Sequence, residues 1–216
     1  MKTADFDFLF RFLGYGEIAK AKLWFVGLEP GNKLNEHYLE ENLSPIDFDF
    51  PGEQLPLLID SQLPRQIDSQ LPRQKPTRVW PVCRKIAERV GIKEAFFMSN
   101  MAPFPYPSLR KHDCGTADET AYKTRVMQEY LPRLLKAKEH FKPSAIVFHG
   151  KSYYRALGVQ SVFGALVNTG TPCGHVEIFD RQRIILSTNF SRIANHDIDR
   201  ITEVLKKWRV IEARAG

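Results

Sequence analysis

Cysteine is scarce in this chain, with three residues among 216. An odd and sparse set of thiols does not build the disulfide framework of a small secreted domain, and three thiols cannot ligate a four-cysteine iron–sulfur cluster. Apolar runs stay well below the roughly 20 residues that cross a bilayer, and Asp5 and Asp7 interrupt the segment where a secretory leader would be continuous. These features predict a cytoplasmic protein that does not enter a membrane.

The chain also has little that would bind a nucleotide cofactor. The segment from Gly27 to Lys33 is one residue short of the Walker pattern and has no Ser or Thr after its lysine. The same segment does not supply the Gly-x-Gly-x-x-Gly fingerprint of a dinucleotide site. It does supply a carboxylate, Glu29, between glycines and a proline, where backbone amides can approach a ligand closely.

The overall composition is that of a folded protein. Hydrophobic residues make up 43% of the chain and charged residues 26%, which excludes collagenous and disordered classes. A length of 216 residues favours one domain. The excess of 31 Lys and Arg over 25 Asp and Glu gives a net charge of +6, which favours a polyanionic partner such as nucleic acid. A solvated basic surface with no partner is the alternative interpretation of the charge.

Short apolar runs alternate with amphipathic segments along the chain. The run Leu23-Trp24-Phe25-Val26, closed by Gly27, is typical of a buried strand. The alternation predicts an α/β protein with a mostly parallel sheet covered on both faces by helices. Pro132 is expected to kink the longest helix. We predict strands at residues 23–26, 95–99, 145–148, 176–179 and 184–186, and helices at residues 5–13, 34–43, 77–90, 118–140, 151–157 and 193–208.

One polar and proline-rich stretch, at about residues 44–76, has no clear periodicity. Within it the octapeptide Ile-Asp-Ser-Gln-Leu-Pro-Arg-Gln occurs twice in tandem, at residues 59–66 and 67–74. Solenoids need at least three stacked units, so two copies do not indicate a repeat fold. We interpret the stretch as an expanded surface loop of a single domain that spans residues 1–216.

Polar or glycine-rich residues follow each strand of the predicted parallel sheet. They are residues 27–31 after the first strand, Asn100 after the second, residues 149–152 after the third, and residues 187–192 after the last. Open parallel sheets bind ligands at the carboxyl ends of their strands, so these four segments favour one shared cleft. Asn100 could instead satisfy backbone groups of its own loop. Lys151 and Ser152 are the first residues of a predicted helix. At that position they could contact a phosphate, or they could serve only to cap the helix.

The order of these motifs resembles that of the uracil-DNA glycosylase superfamily. The matching residues are Gly27-x-Glu29-Pro30-Gly31, Asn100 with its proline-rich continuation, Gly150-Lys151, and Asn189-x-Ser191-Arg192. The resemblance spans residues 23 to about 192. It implies a three-layer αβα sandwich with a central, mostly parallel four-stranded sheet. It also implies an enzyme that hydrolyses the N-glycosidic bond of a flipped-out uracil or related damaged base in DNA, without metal or cofactor.

The resemblance also implies roles for individual residues. Glu29 would position water, Asn189 would donate a hydrogen bond to the departing base, and Asn100 would read the amide edge of the base. An aromatic residue would stack on the base, for which Phe48, Phe50 and Tyr38 are the candidates. The implied set is Glu29 and Asn189 as catalytic residues; Gly27, Leu28, Pro30, Gly31, Phe48, Phe50 and Asn100 as substrate-binding residues; and Lys151, Ser152, Ser191 and Arg192 as DNA-binding residues.

Two other functions stay open at this point. Most active members of the superfamily have His where this chain has Asn189, so a non-cleaving module that binds DNA or a nucleotide is the first alternative. A protein-interaction domain that uses the duplicated octapeptide is the second. A zinc site would need His112-x-Cys114 and Cys173-x-His175 to meet, and their one-residue spacing is tighter than structural zinc sites use. We therefore expect no metal.

Overall fold

A computed structural model describes residues 14–15, 18–27, 79–92, 96–102, 119–156, 158–163 and 175–210. The predicted helices at 5–13 and 34–43 and the loop at 44–76 with its duplicated octapeptide lie outside these residues. The strands are β1 (Gly14–Tyr15), β2 (Leu23–Gly27), β3 (Phe96–Asn100), β4 (Ala145–His149), β5 (Glu177–Phe179) and β6 (Ile184–Ser187). The helices are α1 (Val79–Arg89), α2 (Glu119–Arg125), a π-helical turn (Val126–Tyr130), α3 (Leu131–Phe141), α4 (Lys151–Ala156), α5 (Val159–Phe163) and α6 (Asn195–Lys207).

The described strands form one sheet in the order β1-β3-β2-β4-β6-β5. The four central strands, β3, β2, β4 and β6, run parallel. The two edge strands, β1 and β5, pair antiparallel with their neighbours. The prediction of a mixed α/β fold with a mostly parallel sheet is therefore confirmed, with an antiparallel strand added at each edge.

Strand β1 was not predicted, because two residues carry no readable periodicity. Gly14 pairs with Ser99, and a Cβ atom on Gly14 would lie 2.1 Å from the carbonyl oxygen of Met98. A side chain cannot be accommodated at that distance, so the glycine allows the close approach of the two backbones.

The core lies on both faces of the sheet because side chains alternate along each strand. Trp24 and Val26 pack with residues of α2, α3, α4 and α5, on what we call the α3 face. Leu23 and Phe25 pack with residues of α1 and α6, on what we call the α6 face. Helices cover both faces, as the predicted three-layer arrangement requires. No helix in the described part of the chain is long and apolar enough to cross a membrane.

The longest predicted helix is interrupted by a π-helical turn immediately before Pro132. The backbone N–H of Leu131 donates to the carbonyl of Val126, five residues back. Buried residues recur every four positions at Tyr122, Val126 and Tyr130. A spacing of four residues overshoots a full α-helical turn by about 40° at each step, and the wider π turn corrects this drift. The sequence predicted an irregularity here and assigned it to the proline alone.

Candidate functional site

The last residues of the four parallel strands form a row across the sheet. Asn100, Gly27, His149 and Ser187 end β3, β2, β4 and β6 respectively. Strand register pairs Gly27 with Asn100 and His149 with Ser187. The residues immediately before Gly27, His149 and Ser187 pack on the α3 face. Because side chains alternate along a strand, the row itself lies on the α6 face. We call these four residues the carboxyl-edge row.

Gly27 allows side chains of the two neighbouring strands to approach closely in this row. A Cβ atom at Gly27 would lie 2.7 Å from Oδ1 of Asn100, 2.7 Å from Cε1 of His149 and 3.0 Å from Nε2 of His149. These distances are too short for any Cβ atom, so an amide on one strand and an imidazole on another close directly over the backbone of Gly27. We call this point of contact the Gly27 notch.

His149 is held rigidly beside the notch. Its ring stacks on Phe190, with centroids 4.5 Å apart and planes 15° apart. Phe190 is itself fully buried and makes an edge contact with Phe25. Burial lowers the pKa of His149 to about 3, because a charged imidazolium is poorly solvated there. The imidazole is therefore neutral at physiological pH, and its Nδ1 atom is buried with no hydrogen-bond partner among the described residues.

Asn100 is supported from the opposite face of the sheet. The hydroxyl of Tyr130, in the π-helical turn, makes hydrogen bonds with the Ser99 side chain and the Asn100 backbone. The N–H of Met101, the next residue, donates to the carbonyl of Gly27 at 2.8 Å. Burial raises the pKa of Tyr130 to about 12, so its hydroxyl keeps its proton. The Tyr130 hydroxyl and the backbone bond from Met101 thus fix the strand end that carries Asn100 beside Gly27.

Asn189 lies in the segment that follows β6. Its side-chain Oδ1 accepts a hydrogen bond from the N–H of Ser191 at 2.9 Å, and its carbonyl accepts one from the N–H of Arg192 at 2.9 Å. These bonds form a tight turn that directs Phe190 onto His149. Within the described residues, Asn189 makes no hydrogen bond to Asn100 or His149. Ser191 and Arg192 are exposed at the surface.

Lys151 lies at the start of α4, and its ammonium group is paired with a carboxylate. Its Nζ is 3.5 Å from Oε1 of Glu177, and Arg155 holds the same carboxylate at 2.7 and 2.9 Å. Glu177 is largely buried, with 16% of its side chain exposed. Ser152 is exposed. The structure therefore brings Gly27 and Asn100 together, and places Lys151 in an ion-pair cluster with β5.

The remaining sequence candidates lie outside the described residues and stay predictions. They are Leu28, Glu29, Pro30, Gly31, Tyr38, Phe48, Phe50, and the zinc candidates His112, Cys114 and Cys173. Gly27 directly precedes the first four of them. Within the residues that the structure describes, no group of three or more His, Cys, Asp or Glu side chains could hold a metal ion.

Sequence reasoning did not assign a role to His149, Phe190 or Tyr130. The signal for His149 was present, because it belongs to the polar segment after the third predicted strand. That segment was expected to begin after the strand, whereas His149 is the last residue of β4 and therefore belongs to the row. Tyr130 falls within the helix predicted at residues 118–140, and the helical pattern gave no indication of its hydroxyl contacts.

No protein-family model and no curated protein matches this chain. The described residues offer a neutral imidazole, an amide that both donates and accepts, and a glycine between them. The four residues of the carboxyl-edge row carry no charge at physiological pH.

Proposed function

We propose that this protein is a DNA-base glycosylase that hydrolyses the N-glycosidic bond of a flipped-out uracil or related damaged base. The observation that carries the proposal is the Gly27 notch, where Asn100 and His149 meet across a residue without a side chain. This notch lies at the carboxyl edge of a parallel sheet, where α/β proteins bind their ligands.

The chemistry of Asn100 suits recognition of a base. A side-chain amide presents one acceptor and one donor side by side, which matches the N–H and C=O of a lactam edge. The surrounding row is uncharged, as a neutral base requires. Flipping a base out of the duplex costs a few kcal/mol of lost stacking, which contacts in the pocket must offset.

Catalysis on this proposal depends on Glu29, two residues beyond Gly27 in the chain. Cleavage of an N-glycosidic bond develops positive charge on the sugar and negative charge on the leaving base. A carboxylate near the sugar and neutral donors near the base both stabilise that transition state. Asn189 suits the second role, because its Oδ1 is engaged by Ser191 and its amide NH₂ is the group left to donate.

The charge of the chain suits a DNA substrate. A net charge of +6 favours binding to the phosphate backbone through release of counterions. Ser152, Ser191 and Arg192 are exposed in the segments that follow β4 and β6, on the same edge as the row. They are the proposed backbone contacts.

The test is strand scission at a single uracil. The full chain is incubated with an end-labelled oligonucleotide carrying one uracil and then treated with alkali, and we expect cleavage at that position. Glu29→Gln should lower the rate by about 100-fold, the size of effect seen when one transition-state contact is removed. The matched control is Glu88→Gln, on the exposed side of α1, which should retain activity. No scission at uracil, hypoxanthine or mismatched thymine, in single or double strands, would contradict the proposal.

A non-cleaving module that binds DNA or a nucleotide is the second candidate. The observation that favours it is the local turn at Asn189, whose amide oxygen already has a structural partner in Ser191. Such a module would bind DNA in a salt-dependent manner without cleavage, and Glu29→Gln would leave its affinity unchanged.

A further inference from the structure

The amino edge of the parallel strands, opposite the carboxyl-edge row, is rich in basic residues. Seven exposed Lys and Arg residues lie where the chain enters β2, β4 and β6 and where α6 ends. They are Lys22, Lys142, Arg181, Arg183, Lys206, Lys207 and Arg209. We call these seven residues the amino-edge patch.

Backbone hydrogen bonds bring the strand entries of the patch side by side. The carbonyl of Lys22 accepts hydrogen bonds from the N–H groups of Ser144 at 2.8 Å and Ala145 at 3.1 Å. The carbonyl of Arg183 accepts one from the N–H of Ile146 at 3.0 Å. Because neighbouring strands lie about 4.8 Å apart, the patch crosses the edge from β2 through β4 to β6 in short steps.

The end of α6 is attached to the same edge. Nη1 of Arg183 donates to the carbonyl of Trp208 at 2.6 Å. The indole N–H of Trp208 donates to Oδ1 of Asp180 at 2.8 Å, and Nζ of Lys207 lies 3.8 Å from the same oxygen. The cations at the end of α6 therefore lie beside the turn between β5 and β6.

Most of the positive charge in the patch is not paired. Lys207 has a partner in Asp180, whereas the other six cations make no ion pair with any residue that the structure describes. Cations suit the carboxyl end of a helix, which accounts for Lys206 and Lys207 without a binding partner. The same argument does not account for Lys22 or Arg181, because neither residue ends a helix.

Three residues of the patch have a backbone conformation that disfavours a side chain. The φ angle is +47° at Lys142 and +53° at Arg183 and Arg209. Glycine and asparagine are the usual residues in this left-handed region. Among the described residues these three are the non-glycine positions with positive φ, and each is a cation of the patch. Long cationic side chains at such positions favour a role for their charge at the surface.

We propose that the amino-edge patch binds the phosphate backbone of a nucleic acid, as a surface separate from the carboxyl-edge row. Lys and Arg are the residues that contact phosphates. A protein partner would instead need an apolar centre in the interface. The apolar residues next to the patch, Leu23, Ala145, Ile184 and Trp208, are buried. The inference does not depend on the proposed function, because it assigns no residue to base recognition or cleavage.

The first measurement compares two double variants that change the net charge equally. Arg181→Gln with Arg209→Gln removes two cations of the patch, and Arg84→Gln with Arg200→Gln removes two exposed arginines from α1 and the middle of α6. Fluorescence anisotropy with a labelled DNA duplex that contains no uracil gives the affinity at several salt concentrations. The patch variant should bind about tenfold more weakly at low salt, and its slope of log affinity against log salt should be smaller by about two. The control variant should keep the wild-type slope.

The second measurement changes affinity in the opposite direction. Asp180→Asn removes a carboxylate beside the patch and releases Lys207, while its amide oxygen can still accept from Trp208. Asp199→Asn makes the same change of charge on α6, where Asp199 pairs with Arg89. We expect tighter duplex binding by Asp180→Asn than by Asp199→Asn, with a slope steeper by about one phosphate contact.

The outcomes separate this inference from the proposed function. Equal effects within each pair of variants, or no duplex binding by the wild-type protein, would overturn the patch. Binding of polyglutamate as tightly as the duplex would also overturn it, because the partner would then be an acidic protein. An RNA duplex of the same length is the second probe, and binding of either duplex with the expected slope supports the patch. Duplex binding through the patch without scission at uracil would support this inference and contradict the glycosylase proposal.

Discussion

Gly27 acts in this site by having no side chain. The atoms that a Cβ would meet belong to Asn100 and His149, which come from the strands on either side. The absence of a side chain at one residue therefore lets two polar groups from different strands approach the same backbone position. At this scale the sequence predicted Gly27 and Asn100 at the ends of two strands, whereas the position of His149 depends on a strand that ends one residue later than predicted.

Gly27→Ala tests the notch directly. The added methyl group would lie 2.7 Å from Asn100 and His149, so both must shift. We expect a loss of about 1–3 kcal/mol in the free energy of unfolding, as for other overpacked sites, together with loss of base binding in a calorimetric titration.

Gly91→Ala is the matched control for the notch. Its Cβ would meet nothing within 4 Å, but its φ of +82° is unfavourable for a side chain. It should cost about 1 kcal/mol in backbone strain and leave base binding unchanged. Equal binding by both variants would contradict the role of the notch.

The stability of the fold should depend on pH through His149. Its pKa is about 3 in the folded protein and about 6.5 in an unfolded chain, so the unfolded chain takes up the proton first as pH falls. Stability is then full above about pH 6.5 and declines by about 1.4 kcal/mol per pH unit down to about pH 3. Urea unfolding at several pH values should show this slope as a difference between wild type and His149→Gln. Parallel curves for the two proteins would contradict a buried neutral imidazole.

At the scale of elements, the π-helical turn connects the helical layer to the site. It brings the Tyr130 hydroxyl against Ser99 and the Asn100 backbone, while Leu134 and Ala137 of α3 remain in the core. The turn satisfies both the packing of α3 and the contact with β3, which a regular α-helix with the same buried residues would not do. Helix periodicity predicted the helix, but it carries no information about a hydroxyl group that reaches a strand end.

Tyr130→Phe removes that contact without changing the packed volume. Loss of the hydroxyl leaves buried polar groups at Ser99 and Asn100 without this partner, so we expect a cost of about 1–3 kcal/mol in unfolding free energy and weaker base binding. Tyr154→Phe is the matched control, because its buried hydroxyl has no hydrogen-bond partner in the described part of the chain. Thermal denaturation should show that variant to be unchanged or slightly more stable. An identical loss in both variants would show that Tyr130 acts through packing alone.

At the scale of the whole molecule, charge and topology act together. The four parallel strands bring their carboxyl ends to one edge, where the polar segments follow. The chain carries a net charge of +6 whereas the carboxyl-edge row is uncharged, so on the proposed function attraction to DNA and recognition of a base would belong to different groups. The parallel sheet could be predicted because buried strands and helices alternate in the sequence. The row could not, because it depends on the register between strands that are distant in sequence.

Glu177→Gln tests how charge is distributed near the site. The substitution releases Lys151 and Arg155 from their shared carboxylate. If Lys151, once released, contacts a DNA phosphate, DNA binding should become tighter at low salt, and affinity should fall more steeply with salt, by the equivalent of about one phosphate contact. Fluorescence anisotropy with a labelled oligonucleotide at several salt concentrations measures both.

Glu203→Gln is the comparison for this change. It makes the same formal change of charge on the exposed side of α6, where Glu203 pairs with Arg200. It should raise affinity less than Glu177→Gln does. Equal effects from the two variants would mean that only net charge matters and that Lys151 does not contact DNA.

The most direct test of the central claim is a crystal structure of the full chain with uracil bound. We expect the base to lie against the carboxyl-edge row, with its ring N–H at hydrogen-bonding distance from Asn100. A base bound on another surface, without contact to Asn100, would contradict the assignment of this site.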